Sequence, residues 1–249
     1  MQPTCLHHVA TSICPDEDDM AKCGGLITPR LRAISLAACV WLGAAACQHP
    51  AWADSFDVRP VTVQVNGGLG TITVYNPGKR RIYLETIIYA WAKDADGRDI
   101  LTEAAQAVAS PPAMWVPPQS SYLVRLQLPA AAGSRELPFR VLVQQLPDRS
   151  DIVGGRVLFT ITQNLAAFSE PASPEAPRLT ASIAGQALVV ANTGGRRARI
   201  QGVWQDGTRC AHGLLGYALA ASSLKLSVPV HPGRIVLETD LGNVDLAVR

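Results

Sequence analysis

The chain has 249 residues, 48% of them apolar, and a formal net charge of +2. That length accommodates one large domain or two small ones, and a charge so near balance gives no ground for a nucleic-acid or acidic-polymer partner. The first stretch differs in character from the rest of the chain. Lys22, Arg30 and Arg32 flank an apolar run from Ala33 to Cys47, and Ala51-Trp52-Ala53 forms a small-x-small cleavage site before Asp54, the pattern of a secretory leader. The run is too short and wrongly flanked for a spanning helix. Asp16, Glu17, Asp18 and Asp19 do not suit the basic start of a leader, so translation is expected to begin at Met20. Ala44–Cys47 faintly resembles a lipoprotein site but lacks the usual leucine, and cleavage after Ala53 is preferred. Residues 1–53 are therefore expected to be removed, taking Cys5, Cys14, Cys23, Cys39 and Cys47 and leaving Cys210 alone. The exported chain then has no internal disulfide framework and no cysteine metal site, and its core must hold it together.

From Asp54 onward strand signals recur at short spacing. Phe56–Val58 and Val61–Val65 alternate apolar and polar residues, the period of a strand with one buried face. Asn66-Gly67-Gly68 is turn chemistry, since both residue types accept positive φ. Gly70–Tyr75 reads as a strand stopped by Asn76-Pro77-Gly78, and Ile82–Trp91 as a long one ended by Asp94–Gly97. Ala104–Ala109 favours a helical turn by propensity, broken at once by Pro111 and Pro112. Strands are expected again at Tyr122–Leu128 and Phe139–Val143, separated by the loop Ala130–Arg135. After the loop Pro147–Gly155 comes Gly155–Gln163, whose Val157, Phe159 and Ile161 share one face. Glu170–Pro177 holds three prolines in eight residues and reads as a linker. The pattern then restarts with Arg178–Ile183, Ala187–Ala191, the turn Asn192–Gly195, Ala198–Trp204, a loop Gln205–Gly213, Ser223–Val230, the turn His231–Gly233, Ile235–Leu237 and Val244–Val248. Short strands with turns every 8–12 residues indicate an all-β, immunoglobulin-like sandwich architecture.

Residues able to do chemistry are sparse. Beyond the leader the histidines are His212 and His231, and no HExxH, CxxC or GxSxG pattern occurs. Gly67–Gly70 imitates a phosphate loop but joins two β runs and opens no helix. Asp94, Asp96 and Asp99 imitate a calcium loop but lack the terminal glutamate. Cys210 beside Arg209 has no neighbouring base to activate it. No enzyme, metal or cofactor is expected.

Several stretches in order resemble the periplasmic pilus-assembly chaperones of the PapD-like superfamily. They are Thr71–Asn76, Tyr89-Ala90-Trp91, Ser110-Pro111-Pro112, Tyr122–Leu126 with its central Arg125, Phe139–Pro147, Leu188–Gly194 and Gly216–Ala220. The resemblance spans essentially Ser55–Arg249. It implies two immunoglobulin-like β-sandwich domains in a boomerang arrangement, over residues 54–169 and 178–249 with 170–177 between them. It also implies export to the periplasm, binding of pilus subunits, and their delivery to an outer-membrane usher. In this family the last strand of the first domain completes a subunit's unfinished sandwich by strand addition. Here that strand would present Val157, Phe159 and Ile161, with Val153 starting the row. An exposed apolar edge invites aggregation, so the free protein is expected to shield it by self-association.

One departure stands out. Familiar members grip the subunit's C-terminal carboxylate with an arginine in the first strand and a lysine late in the donor strand. Thr62 and Asn164 occupy those positions here, and neither is charged. A carboxylate buried without a cation is costly, so the resemblance implies either that this protein uses other cations or that it belongs to a divergent branch, with the archaic or alternative chaperones nearest. Arg59 and Arg140 are the candidates, with Arg156 behind them. The competing reading is a secreted immunoglobulin-like structural or adhesion module whose Gly155–Gln163 strand serves only its own core.

Overall fold

The computed structural model describes residues 55–148 and 160–248. The predicted leader, and Val153, Arg156, Val157 and Phe159, lie outside the described residues. All regular structure among the described residues is β.

The first sheet comprises β1 (Asp57–Arg59), β2 (Thr62–Asn66), β3 (Leu69–Asn76), β4 (Ile82–Lys93), β5 (Asp99–Glu103), β6 (Val108–Ser110), β7 (Ala113–Val116), β8 (Ser120–Gln127), β9 (Leu137–Leu146) and β10 (Thr162–Glu170). Its order is β5-β4-β9-β10-β2-β3-β8-β6, with β1 also on β3 and β7 on β4. The β10–β2 junction is parallel and the other pairings are antiparallel. Period-two alternation sends Ile72 and Val74, Leu84 and Ile88, Val124 and Leu126, and Val141 and Val143 into one shared core. Side chains from both halves of the strand order meet there, so the sheet wraps around itself as a sandwich.

The second sheet comprises β11 (Leu179–Ala184), β12 (Ala187–Asn192), β13 (Ala198–Gln205), β14 (Thr208–Ala218), β15 (Ser222–Leu226), β16 (Gly233–Thr239) and β17 (Gly242–Val248), in the order β14-β13-β16-β17-β11-β12-β15. It has its own core, built on Leu188, Val190, Ile200, Leu224, Ile235 and Leu237. Both sheets belong to one compact unit. The architecture is the expected all-β pair of immunoglobulin-like domains.

Each sheet turns one corner in the same way. Asn76 ends β3; its Oδ1 accepts the Gly78 N–H (2.9 Å), and its Nδ2 donates to the Arg80 carbonyl (2.8 Å) and, across the sandwich, to that of Val116 (3.1 Å). Asn192 ends β12; its Oδ1 accepts the Gly194 N–H (3.0 Å), and its Nδ2 donates to the carbonyls of Arg196 (2.7 Å) and Ala218 (2.9 Å). Both asparagines are buried, and their amides satisfy carbonyls that a sharp corner would otherwise orphan.

Local expectations fail in three places. Ala104–Ala109 is not helical: a turn leads into the edge strand β6, because backbone pairing with β8 outweighs alanine propensity. The expected loop Gln205–Gly213 is largely β14, an edge strand that reads as loop because its exposed residues show no alternation. Asp94–Asp99 turns the chain into a hairpin whose second strand, β5, is exposed at every residue and so carries no period-two signal.

Candidate binding site

Burial changes along β10. Thr162 and Asn164 are exposed, but from Leu165 onward both faces are covered. Leu165 and Ala167 enter the first core, while Ala166 and Phe168 on the opposite face meet Trp91, Tyr217 and Leu219. Tyr217 belongs to the second sheet, so this patch joins the two sheets. Trp91, Phe168 and Tyr217 stand 5.5–6.0 Å apart by ring centroid, with Trp91 and Tyr217 edge to face, the spacing favoured by aromatic quadrupoles. The double burial removes alternation from Leu165–Ser169, and the strand therefore runs past the end expected at Gln163.

The strand registers set a row of residues on this outer face. Ala166 pairs with Thr62 on β2 and with Arg140 on β9, and Arg140 pairs with Tyr89 on β4. From that row the Arg140 guanidinium reaches diagonally over Trp91, 3.6 Å from the ring centroid, with Tyr217 at 6.0 Å. Such stacking holds the planar cation in a fixed plane and leaves its N–H fork pointing sideways. One Nη2 contact, 3.4 Å, goes to Asp99 Oδ2 on β5, and Lys93 Nζ donates to Asp99 Oδ1 at 2.5 Å. Two cations thus share one carboxylate, and both are largely withdrawn from water, with side chains 16% and 6% exposed. Burial lowers the Arg140 pKa and the Asp99 charge opposes that fall. For Asp99 burial pushes the pKa up, but the Lys93 hydrogen bond and the charges of Lys93 and Arg140 outweigh it and hold it below the usual aspartate range. A partly dehydrated guanidinium beside one long contact is suited to accept a further carboxylate.

The residues named from sequence separate clearly. Thr62 and Asn164, the uncharged pair, lie on the neighbouring strands: Thr62 is in the row of Arg140 but across β10 from it, with its hydroxyl 3.4 Å from that of Tyr217, and Asn164 is two residues before Ala166 on β10. Arg59 is exposed on β1 against Thr73 of β3, away from that row. Ile161 is half-buried and packs against the first core, and its carbonyl accepts the Gln145 N–H at 2.9 Å. Arg156, Val153, Val157 and Phe159 lie outside the described residues. Sequence reasoning missed Lys93, Asp99 and Tyr217 as site residues. The first two flank the Asp94–Gly97 turn, and only the pairing of Lys93 with Asp99 across it brings them together.

A second ionic group lies where the sheets meet. Arg197, at the corner following Asn192, donates to Glu136 through Nη1 and also through its backbone N–H at 3.3 Å. Its Nη1 is 3.4 Å from Glu170 Oε1, which Arg196 also reaches at 3.2 Å. The Arg197 guanidinium lies 3.8 Å over the Phe168 ring. Glu136 and Arg197 are almost fully buried. Burial raises the Glu136 pKa, Arg197 pulls it back in part, and Glu170 adds to the rise.

Residues 58–175 match the family model for the N-terminal domain of PapD, a pili and flagellar-assembly chaperone. None of the curated proteins matches the chain. Among solved structures, the fold is similar to that in the complex of CsuC with the tip-adhesin subunit CsuE, from the archaic chaperone–usher Csu pili of Acinetobacter baumannii. That match has 17% identity, covers 78% of this chain and 99% of the other, and has a TM-score of 0.65. It is also similar to the structure of the Salmonella enterica SafA pilin with the SafB chaperone (18% identity, 79% and 97% covered, TM-score 0.61). The E. coli chaperone DraB is similar too (17% identity, 79% and 97% covered, TM-score 0.60). At such identities the structures speak for the fold. The first sheet carries the family match and the two sheets together carry the fold, so the first domain belongs to the PapD N-terminal-domain family of pili and flagellar-assembly chaperones, and the chain has the two-domain fold of the pilus chaperones.

Proposed function

We propose that this chaperone works in the periplasm after loss of residues 1–53, binds pilus subunits by donor-strand complementation and delivers them to an outer-membrane usher. The observation that supports it best is the setting of Arg140. A subunit chain lying along the outer face of β9 and β10 would end beside Thr62 and Asn164, which offer no charge, and Arg140 stands in the same cross-strand row. Arg140 then anchors the C-terminal carboxylate, with Lys93 behind it. Arg59 sits on a different strand pair and is the weaker candidate. The relocated cations fit a divergent branch, and the Csu structure comes from an archaic pathway.

In this reading Val153, Val157, Phe159 and Ile161 form the row offered to the subunit. Fully burying each such side chain contributes roughly 1.5–3 kcal/mol, offset by the cost of association. The alternative, an immunoglobulin-like structural or adhesion module, draws on one observation: Ile161 packs against its own core. The double substitution Val157→Asp/Phe159→Asp separates the two. Co-expressed in a Gram-negative periplasm with pilin subunits encoded nearby, the variant is expected to fold, to remain soluble and to lose the stoichiometric complex that the wild type yields on pull-down. A variant that cannot fold assigns the strand to its own core and ends the donor-strand reading. In the same assay Arg140→Gln should weaken the complex by roughly 2–5 kcal/mol, the range for removing one partner of a buried, hydrogen-bonded charge pair.

A further inference from the structure

The contacts of Asp99 are unequal. Its Oδ1 takes a 2.5 Å hydrogen bond from Lys93, directly opposite on β4, whereas its Oδ2 meets Arg140 at 3.4 Å by a single nitrogen reaching diagonally across the sheet. The Lys93 side chain is only 6% exposed, while that of Asp99 is 41% exposed. Lys93 is therefore committed to Asp99, and Arg140 is held loosely by a carboxylate that water and other solutes can reach. The stacking of Arg140 on Trp91 keeps the guanidinium in place without Asp99. Within the anchor reading given above, on which this rests, we propose that Asp99 is a resident competitor: a carboxylate of the chain's own that occupies the Arg140 fork in the free protein and yields it to the carboxylate of a bound partner.

The exchange makes and breaks no covalent bond. The incoming carboxylate takes the Arg140 N–H donors, and Asp99 keeps its bond to Lys93. While Asp99 is ionised, its negative charge lies close to the incoming one and lowers affinity. Other charged groups facing the site are Lys93, which Asp99 neutralises, and Glu103, on the same face of β5 opposite Tyr89. Asp99 thus sets how firmly a partner's chain end is held, and a grip that is weakened in this way eases later release.

The test is an NMR titration of the exported chain with an N-acetylated, alternating Val-Thr hexapeptide, once as the free acid and once as the C-terminal amide, following the Trp91 indole N–H. Wild type should bind the acid more tightly than the amide. Asp99→Asn should widen that preference, read as the ratio of acid to amide affinity, by about tenfold, the size expected when a like charge within a few ångströms is removed at a partly exposed site. Asp99→Ser provides the same charge change with a different shape, and thermal melting verifies that each variant is folded. An acid preference that both variants leave unchanged or reduce overturns the proposal while the anchor stands. No acid preference in any of the proteins, including no binding of either peptide, overturns both. Loss of the preference in Arg140→Gln identifies Arg140 as the cation concerned.

Discussion

Glu136 and Arg197 show what burial does to a charge pair. Neither can be left alone without a large penalty, because the survivor would be a dehydrated charge. Arg197→Ala is expected to destabilise the protein by roughly 3–5 kcal/mol in urea unfolding, because it strands Glu136 in a buried setting beside the like charge of Glu170. The pH dependence has a definite sign. The folded pKa of Glu136 lies above its ordinary 4.5, so between those values the folded state holds a proton that the unfolded chain has released. Stability from this group is present at the acid end of that window and is lost as pH rises through the folded pKa. Wild type should therefore lose stability relative to Glu136→Gln across that interval, in melts recorded above about pH 5, where the oppositely shifted Asp99 stays ionised. A flat difference between the two proteins would contradict the burial-raised pKa. At this scale the sequence was only partly legible. Arg140 could be named because a charge was missing from two family positions, but Lys93 and Asp99 could not, because a hairpin register rather than a motif makes them neighbours.

Among the elements, the β4–β5 hairpin does more than reverse the chain. Gly97 at its tip has φ +75°, and a Cβ there would lie 2.9 Å from the Lys225 backbone nitrogen on β15. Left-handed backbone disfavours any side chain, and a backbone atom cannot swing aside as a side-chain tip can. Gly97→Ala should cost roughly 2 kcal/mol or more, adding positive-φ strain of about 1–2 kcal/mol to the clash. Thermal unfolding would read the loss, and an unchanged Tm would mean the hairpin tip does not bear on β15. Long alternating strands such as β3, β4, β8 and β9 were readable because each buries one face. The elements that were missed lie at the extremes: β5 and much of the first half of β14 are exposed, and the second half of β10 is covered on both sides. Period two disappears in both cases, for opposite reasons.

At the scale of the whole molecule, the two-sheet plan was legible from turn spacing and from the three prolines after β10, while the aromatic and ionic joints between the sheets were not. Phe168, Tyr217, Glu136 and Arg197 are widely separated in sequence, and a single chain carries no local sign that they will meet. Export is tested at this scale. Mass analysis of the protein recovered from a Gram-negative periplasm is expected to give Asp54 as the first residue. A lipid-modified Cys47 would move the protein to a membrane surface and revise the account of its cysteines.

The corner built on Asn76 returns at Asn192, and the letters around it return as well: Asn-Pro-Gly-Lys-Arg-Arg in one place and Asn-Thr-Gly-Gly-Arg-Arg in the other. The same bent hexapeptide is thus used twice, each time with its asparagine serving the same pair of backbone duties. Its last arginine has gone two ways. Arg81 remains at the surface, over the Trp115 ring, while Arg197 is sealed between the sheets against Glu136. Because the arginine side chain makes none of the hydrogen bonds of the corner, the second copy can fasten one half of the molecule to the other without disturbing the corner that presents it.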